Sequence, residues 1–127
     1  DMSMVKILIV DDSVTVRKNL MHTLKPKNYK CVEAVDGIDA LEKLAQHPDV
    51  NLVISDLNMP NMDGIELINN IRSNPAFKDL PIIMLTTESG PEHRRKAHEA
   101  GANLYLVKPS PPHIILFKVQ SLLEAEG

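Results

Sequence analysis

Short apolar runs alternate with longer amphipathic stretches five times along the chain, and this rhythm predicts five strands and five helices. The predicted strands are residues 5–10, 29–35, 52–55, 81–86 and 104–107. The predicted helices are residues 13–25, 37–47, 64–73, 91–100 and 112–124. Four strand runs are continuously apolar, which is typical of strands covered by helices on both faces, whereas the run at 29–35 alternates like an edge strand. The pattern therefore predicts an α/β fold of the (βα)5 kind, a doubly wound five-stranded parallel sheet.

The fourth and fifth predicted helices depart from the usual amphipathic pattern. The fourth is so rich in charge that only Ala97 and Ala100 can anchor it, so we expect it to bury little and to move easily. The fifth has a core stripe of Ile115, Val119, Leu122 and Leu123. Three further apolar side chains fall outside that stripe, namely Ile114, Leu116 and Phe117. Because mobility and surplus apolar area coincide here, we predict an interaction surface formed by the fourth helix, the fifth strand and the fifth helix.

Composition and charge narrow the class of protein. The 127 residues suffice for one domain with its own core, and residues 1–4 are interpreted as a remnant that precedes the first strand. The net charge of −3 and an aromatic content of two Tyr, two Phe and no Trp argue against direct nucleic-acid binding. The single Cys31 excludes an internal disulfide and a multi-cysteine zinc site. Since no apolar run is long enough to span a bilayer, we expect a soluble, cytoplasmic domain without a membrane partner.

Candidate chemistry gathers where the predicted strands end. In an open parallel α/β sheet, ligands bind beyond the carboxyl ends of the strands. The residues that leave the strands there are Asp11, Asp12, Asp56, Thr86 and Lys108. Three clustered carboxylates need a compensating cation, and oxygen ligands of this kind suit Mg²⁺ or Mn²⁺. The set therefore indicates phosphoryl chemistry, with a carboxylate available as the nucleophile.

Each of these residues also has an ordinary structural interpretation. Asp11 and Asp12 could simply supply favourable charge at the start of a helix, and Asp56 could be a turn residue. Thr86 is a good strand residue in its own right, and Lys108 could merely end the last strand. The coincidence of all these residues at the ends of four predicted strands favours one common site.

Four motifs follow one another in the chain and carry a family resemblance. They are Ile7-Leu-Ile-Val-Asp-Asp-Ser13, Ser55-Asp-Leu-Asn-Met-Pro-Asn-Met-Asp-Gly64, Pro81-Ile-Ile-Met-Leu-Thr86 and Gly101-Ala-Asn-Leu-Tyr-Leu-Val-Lys-Pro109. Together they resemble the receiver domains of two-component response regulators, of the CheY-like type, over essentially the whole chain. The resemblance implies a flavodoxin-like sheet with strand order 2-1-3-4-5.

The resemblance also implies roles for the residues at the strand ends. Asp56 matches the residue that accepts a phosphoryl group from a sensor histidine kinase or a phosphotransfer protein. Asp11, Asp12 and Asp56, with the backbone carbonyl of Asn58, match the Mg²⁺ ligands. Lys108 matches the lysine that pairs with the phosphoryl oxygens, and its peptide bond to the following proline is expected to be cis.

A second group of residues is implied to switch the domain and to tune its lifetime. Thr86 and Tyr105 match the pair that moves on phosphorylation, and the signal would pass to an output protein or a homodimer partner through the predicted interaction surface. Asn58 and Glu88 match positions that tune hydrolysis of the phosphoryl group. Thr87 stands where many relatives carry Ala, so we expect narrower access to the phosphorylation site and slower turnover of the phosphoryl group. By this interpretation the domain assists its own cycle without being a conventional enzyme.

Three alternatives stay open at the level of sequence. A Mg²⁺-dependent phosphohydrolase could use Asp11 as its nucleophile, although such enzymes normally have a second Asp two positions later, where this chain has Ser13. A binding module could resemble a receiver and never be phosphorylated. Finally, these residues could be the receiver portion of a larger regulator, since the sequence names neither the kinase nor the output.

Overall fold

The computed structural model describes residues 4–126, and it contains all ten predicted elements, most of them with bounds within two residues of those predicted. The strands are β1 (Lys6–Val10), β2 (Lys30–Ala34), β3 (Leu52–Ser55), β4 (Ile82–Thr86) and β5 (Leu104–Val107). The helices are α1 (Val14–Leu24), α2 (Gly37–Gln46), α3 (Gly64–Ser73), α4 (Pro91–Ala100) and α5 (Pro112–Glu126). Short 3-10 turns occupy Lys25–Lys27 and Pro75–Phe77. Of the four residues interpreted as a remnant, residues 1–3 lie outside the described part of the chain.

The five strands form one parallel sheet in the order β2-β1-β3-β4-β5, which confirms the predicted order. The alternating run thus forms an edge strand, as predicted. Val10 at the end of β1 pairs with Ser55 at the end of β3, so the residues that follow them leave the sheet side by side. Thr86 at the end of β4 likewise pairs with Val107 of β5. The register therefore brings the predicted functional residues to one edge of the sheet.

The core consists of two layers, one on each face of the sheet, and this explains the continuous apolar runs. In β1, Leu8 and Val10 belong to the layer beneath α2, α3 and α4, whereas Ile7 and Ile9 belong to the layer beneath α1 and α5. All four side chains are almost fully buried. Each residue of a central strand thus removes apolar surface from water, which favours folding by about 25 cal/mol per Å².

Side-chain caps fix the starts of the helices next to the functional edge. Ser13 accepts a hydrogen bond from the backbone N–H of Val16 at 3.2 Å and so starts α1 directly after the acidic pair. Asp36 caps α2 and also accepts a hydrogen bond from Asn61 at 2.7 Å, which ties the loop after β3 to the loop after β2. Asp63 caps α3 in a capping box. The caps therefore hold the loops that carry the candidate site.

Helix α4 buries little, as predicted, because Ala97 is its only fully buried residue. Its charged side chains pair with one another, with Arg95 bonded to both Glu92 and Glu99. Such exposed pairs contribute little stability. Among residues 4–126, no helix has the length and apolar character that a membrane span requires.

Helix α5 corrects one part of the predicted surface. Ile115 and Val119 are buried as predicted, and Ile114 and Phe117 are 37% and 61% exposed. Leu116, predicted to lie outside the core stripe, instead packs against the core layer beneath α1 and α5. The buried stripe of α5 is wider than predicted because the helix packs against α1 as well as against the sheet.

Gly64 offers a test of how tightly α3 approaches the loop after β3. A Cβ at this position would collide with the backbone carbonyl of Asp56 and lie 3.0 Å from the Cα of Leu57. Because backbone must then shift, we expect Gly64→Ala to lower the free energy of unfolding by roughly 1–3 kcal/mol in urea titrations. The matched control is Gly90→Ala, whose nearest neighbour would be an atom of His93 at 3.6 Å. The control should change stability by less than about 0.5 kcal/mol, and equal effects of both substitutions would contradict this packing argument.

Candidate functional site

Three carboxylates meet at the edge where β1 and β3 end. One oxygen each from Asp11, Asp12 and Asp56 lies within 4.8 Å of the others. Asp11 is buried, Asp56 is partly buried and Asp12 is exposed to solvent. Carboxylate oxygens at this spacing fit a hard divalent cation such as Mg²⁺, which prefers oxygen ligands and retains several waters. The predicted convergence of the three acidic residues is thus present in the fold.

Asp11 is held on both carboxylate oxygens. Its Oδ1 accepts a hydrogen bond from the backbone N–H of Ser13 at 2.8 Å, and its Oδ2 accepts one from Lys108 Nζ at 2.8 Å. The side chain of Asp11 is almost fully buried. A buried carboxylate with a cation and a backbone donor is satisfied without a metal ion.

Asp56 is less completely paired than Asp11. Its Oδ1 accepts a hydrogen bond from the backbone N–H of Leu57 at 2.8 Å, while its Oδ2 lies 3.7 Å from Lys108 Nζ. Burial raises the pKa of Asp56 above its usual range, and the charge of Asp11 adds to this rise. Lys108, the Leu57 N–H and the Thr86 hydroxyl act in the opposite direction but do not cancel it. Asp56 is therefore an acidic group whose ionised form is disfavoured by its surroundings.

Lys108 reaches the two carboxylates from the opposite end of the chain. It follows β5 directly, and its backbone N–H donates to the carbonyl of Thr86 at 2.7 Å. The Lys108–Pro109 peptide bond is cis, as the resemblance implied. The ammonium group contacts Asp11 more closely than Asp56, at 2.8 against 3.7 Å.

The predicted switch residues are linked through Glu88 in the loop after β4. Thr86 is fully buried, and its hydroxyl accepts a hydrogen bond from the Glu88 N–H at 3.3 Å. The hydroxyl of Tyr105 donates to the Glu88 carbonyl at 2.6 Å. The Glu88 carboxylate accepts a hydrogen bond from Asn58 Nδ2 at 2.9 Å. Both predicted tuning residues, Asn58 and Glu88, thus contact each other across the site, whereas Thr87 is exposed beside them.

Helix α4 contributes two residues that the sequence did not single out. The ring of His93 lies 3.3 Å from the Glu88 carboxylate. The guanidinium of Arg94 lies 4.8 Å from the centre of the Tyr105 ring and donates to the Tyr105 carbonyl at 3.2 Å. Within a run of exposed charges these two residues carry no distinguishing sequence signal, because only the fold shows which side of α4 meets the switch residues.

Comparison with known proteins decides the family. The sequence model of the response regulator receiver domain matches residues 7–120. The chain belongs to the response regulator receiver family. Chemotaxis protein CheY1 of Helicobacter pylori is 43% identical over 119 residues, which cover 93% of this chain and 96% of that protein. A chemotaxis protein CheY homolog of Campylobacter jejuni is 40% identical over 93% of this chain and 92% of its own length.

Solved structures of receiver domains agree with this assignment. The chemotaxis response regulator CheY4 of Vibrio cholerae superposes with a TM-score of 0.87 at 41% identity, over 94% of this chain and 99% of that one. A putative response regulator from Chloroflexus aurantiacus gives a TM-score of 0.90 at 34% identity, over 96% and 99% of the two chains. The protein is thus a receiver domain of the CheY type, a response regulator of two-component signalling. Phosphoryl acceptance is the standard function of the family, and such domains generally bind Mg²⁺ in an acidic pocket and signal rather than act as enzymes.

The raised pKa of Asp56 predicts that this carboxylate destabilises the metal-free fold at neutral pH. A carboxyl with a raised pKa contributes stability while protonated and loses it as the pH rises through that pKa. We therefore expect Asp56→Asn to increase the free energy of unfolding at pH 7 without divalent metal, on the order of 1 kcal/mol. The gain should shrink as the pH falls through the raised pKa of Asp56, because the wild-type carboxyl then takes up its proton.

The control for this prediction is Asp49→Asn. Asp49 is an exposed carboxylate whose pKa is lowered by its hydrogen bond with Lys6, so its removal should not stabilise the fold. Urea titrations of the three proteins between pH 4 and pH 8 give the comparison. If Asp56→Asn and Asp49→Asn behave alike across this range, the electrostatic description of Asp56 is wrong.

Proposed function

We propose that Asp56 is the residue that accepts the phosphoryl group, and that a sensor histidine kinase or a phosphotransfer protein is the donor. The supporting observation is its asymmetric environment. One carboxylate oxygen is oriented by the Leu57 N–H, while the other faces Lys108 at 3.7 Å beside the two other acidic residues. A nucleophile that is fixed on one side and incompletely paired on the other is available to attack.

We further propose that Asp11, Asp12 and Asp56, together with the backbone carbonyl of Asn58, hold Mg²⁺, with Mn²⁺ as an acceptable substitute. The three carboxylates supply hard oxygen ligands at a spacing that one ion can bridge. When bound, Mg²⁺ neutralises negative charge on the transferring phosphoryl group. An ion on Asp11 would share this carboxylate with Lys108 or displace the ammonium, which would then be able to pair with a phosphoryl oxygen.

In the proposed transfer, an Asp56 carboxylate oxygen attacks the phosphorus of a phosphohistidine in line with the phosphorus–nitrogen bond. The new phosphorus–oxygen bond forms as the old bond breaks, and the electron pair leaves with the imidazole nitrogen. Lys108 pairs with the phosphoryl oxygens, since it already lies between Asp11 and Asp56. The domain thereby assists a step that needs little more than positioning and charge compensation.

Hydrolysis of the acyl phosphate returns the domain to its resting state. A water attacks the phosphorus, the phosphorus–oxygen bond to Asp56 breaks, and inorganic phosphate leaves. The proposed path of that water passes the hydrogen-bonded pair of Asn58 and Glu88 and the exposed Thr87. We infer that these three residues set the lifetime of the signal.

The phosphorylated state is proposed to act through Thr86 and Tyr105 on the surface formed by α4, β5 and α5. Moving a population from 1:99 to 99:1 needs about 5.5 kcal/mol, whereas one hydrogen bond to a charged group supplies about 1.5–3 kcal/mol. Thr86 therefore needs the help of Lys108 and of Tyr105, whose hydroxyl already bonds the loop before α4. The apolar residues of this surface that remain exposed are Ile114 and Phe117.

Phosphorylation at Asp56 is tested with acetyl phosphate and Mg²⁺. We expect label on wild-type protein, a return to background for Asp56→Asn, and unchanged label for the control Asp63→Asn, which alters only the α3 cap. Peptide mapping after trapping of the acyl phosphate identifies the labelled residue. Label on Asp11 would favour the phosphohydrolase alternative, and absence of Mg²⁺-dependent label would favour the binding module.

The output surface is tested with Phe117→Glu, because this side chain is 61% exposed and can be changed without disturbing the core. Burial of a phenylalanine contributes about 1.5–3 kcal/mol, so its loss should weaken association of the activated protein with itself or its output partner by roughly tenfold or more. The control Ile38→Glu replaces an exposed apolar residue at the start of α2. Sedimentation and titration of the beryllofluoride-treated proteins measure the association. Equal affinities of the two variants would refute this assignment of the surface.

A further inference from the structure

Arg17 is the most enclosed cation of α1, and its side chain connects three elements. Only 11% of its side-chain surface is exposed. The Nε atom donates to the Glu33 carboxylate of β2 at 2.9 Å, and Nη1 donates to the backbone carbonyl of Asp11 at 2.6 Å. An arginine can make both contacts at once because its donors form a rigid planar fork.

The contact with the Asp11 carbonyl acts on Asp12. This carbonyl belongs to the planar peptide group that joins the two residues, so holding its oxygen fixes the orientation of the Asp12 backbone nitrogen as well. The other polar groups of Asp11 have partners of their own. Its N–H donates to the Ala34 carbonyl at 3.1 Å, and its carboxylate accepts hydrogen bonds from the Ser13 N–H and from Lys108. Arg17 therefore restrains the part of the loop that leads to Asp12.

Glu33 makes the restraint rigid. It lies in β2 opposite Ile9 of β1, so it is fixed to the sheet rather than to the loop. Its hydrogen bond with Arg17 is the main reason that the pKa of Glu33 is lowered, and the pair therefore stays ionised at neutral pH. Lys18 contacts the same carboxylate at 3.2 Å, but its side chain is 60% exposed.

We propose that Arg17 is a positioning residue for divalent-cation binding, which sets the direction of Asp12 by holding the Asp11–Asp12 peptide group. The inference rests on the proposed function, in which Asp12 is a ligand of Mg²⁺. Arg17 touches neither the ion nor the phosphoryl group in this proposal. It acts through the backbone of the loop, as residues that orient metal ligands without touching the ion commonly do.

Electrostatics and positioning predict opposite effects of removing the Arg17 charge on the affinity for Mg²⁺. Arg17→Met takes a positive charge away from an acidic cluster, and by charge alone it should tighten the binding of Mg²⁺. Loss of the contact that holds the Asp11–Asp12 peptide group should instead weaken Mg²⁺ binding. We expect a loss of about tenfold, which is typical when a residue that orients a metal ligand is removed. The matched control is Lys18→Met, which removes a neighbouring cation from the same Glu33 without touching the loop. The control should bind Mg²⁺ as tightly as the wild type or slightly more tightly.

Arg17→Lys provides a second variant that keeps the charge and the fold. A lysine at this position lacks the planar fork, so we expect weaker Mg²⁺ binding than in the wild type and tighter binding than in Arg17→Met. Charge alone predicts no change for this variant.

The measurement is titration of each protein with MgCl₂ alone, followed by amide NMR shifts, with urea unfolding in EDTA to show that each variant is folded. Weakened binding in both Arg17 variants, with Lys18→Met unaffected, supports the inference. If wild type binds Mg²⁺ and the Arg17 variants bind it equally or more tightly, Arg17 is not a positioning residue. If wild type binds no Mg²⁺, the proposed metal site fails first, and the inference fails with it.

Discussion

The ion pair between Lys108 and Asp11 is the interaction on which the functional edge of the sheet depends. Two like charges about 4 Å apart repel by roughly 4 kcal/mol at an effective dielectric constant of 20, and three carboxylates converge here. Lys108 reduces this repulsion from within the cluster, at 2.8 Å from Asp11 and 3.7 Å from Asp56. The contact joins residues separated by 97 positions, so it forms only when the last strand has joined the sheet. The charge balance of the site therefore depends on the position of the last strand.

This pairing also explains how a site for a cation can exist before the cation binds. The Asp11 carboxylate accepts hydrogen bonds from Lys108 and from the Ser13 N–H. The Asp56 carboxylate is less completely paired, and its surroundings disfavour the ionised form. A divalent ion bound by Asp11 and Asp56, as proposed, would compete with Lys108 for these carboxylates and would leave the ammonium able to pair with a phosphoryl group. In that case the same lysine would balance the charge of the site with and without the ion.

The sequence predicted the elements well because their signals are local. Continuous apolar runs such as residues 52–55 follow from burial on both faces, and the caps Ser13 and Asp36 are visible as residue types. The strand order came from the family resemblance, since apolar periodicity does not say which strands are neighbours. Leu116 was predicted to lie outside the core stripe but is partly buried against the core layer beneath α1 and α5, and this packing is a tertiary property that the spacing of apolar residues does not show.

The residues that sequence reasoning missed share one physical reason. Arg17, His93 and Arg94 are charged side chains on helices, and such side chains usually face solvent. Each becomes specific only through a partner brought near by the fold, such as Asp11, Glu88 or Tyr105. The order of charged residues along the sequence does not show which of them pair in the fold.

Helix α4 combines weak apolar anchoring with specific polar contacts, which suits the switching role proposed for it. Its apolar attachment to the core consists of Ala97 and the partly buried Ala100, and it packs along α3, so burial of large side chains contributes little to holding its position. Two of its polar contacts lead to the site, through His93 on Glu88 and through Arg94 on Tyr105. Since each polar contact of this kind contributes about 1 kcal/mol or less, a change at Thr86 that moves Glu88 can break the contact between Glu88 and His93 at little cost. An element with a larger buried face would resist a signal of that size, and the scarcity of apolar residues in α4 is therefore consistent with the proposal that α4 moves on phosphorylation.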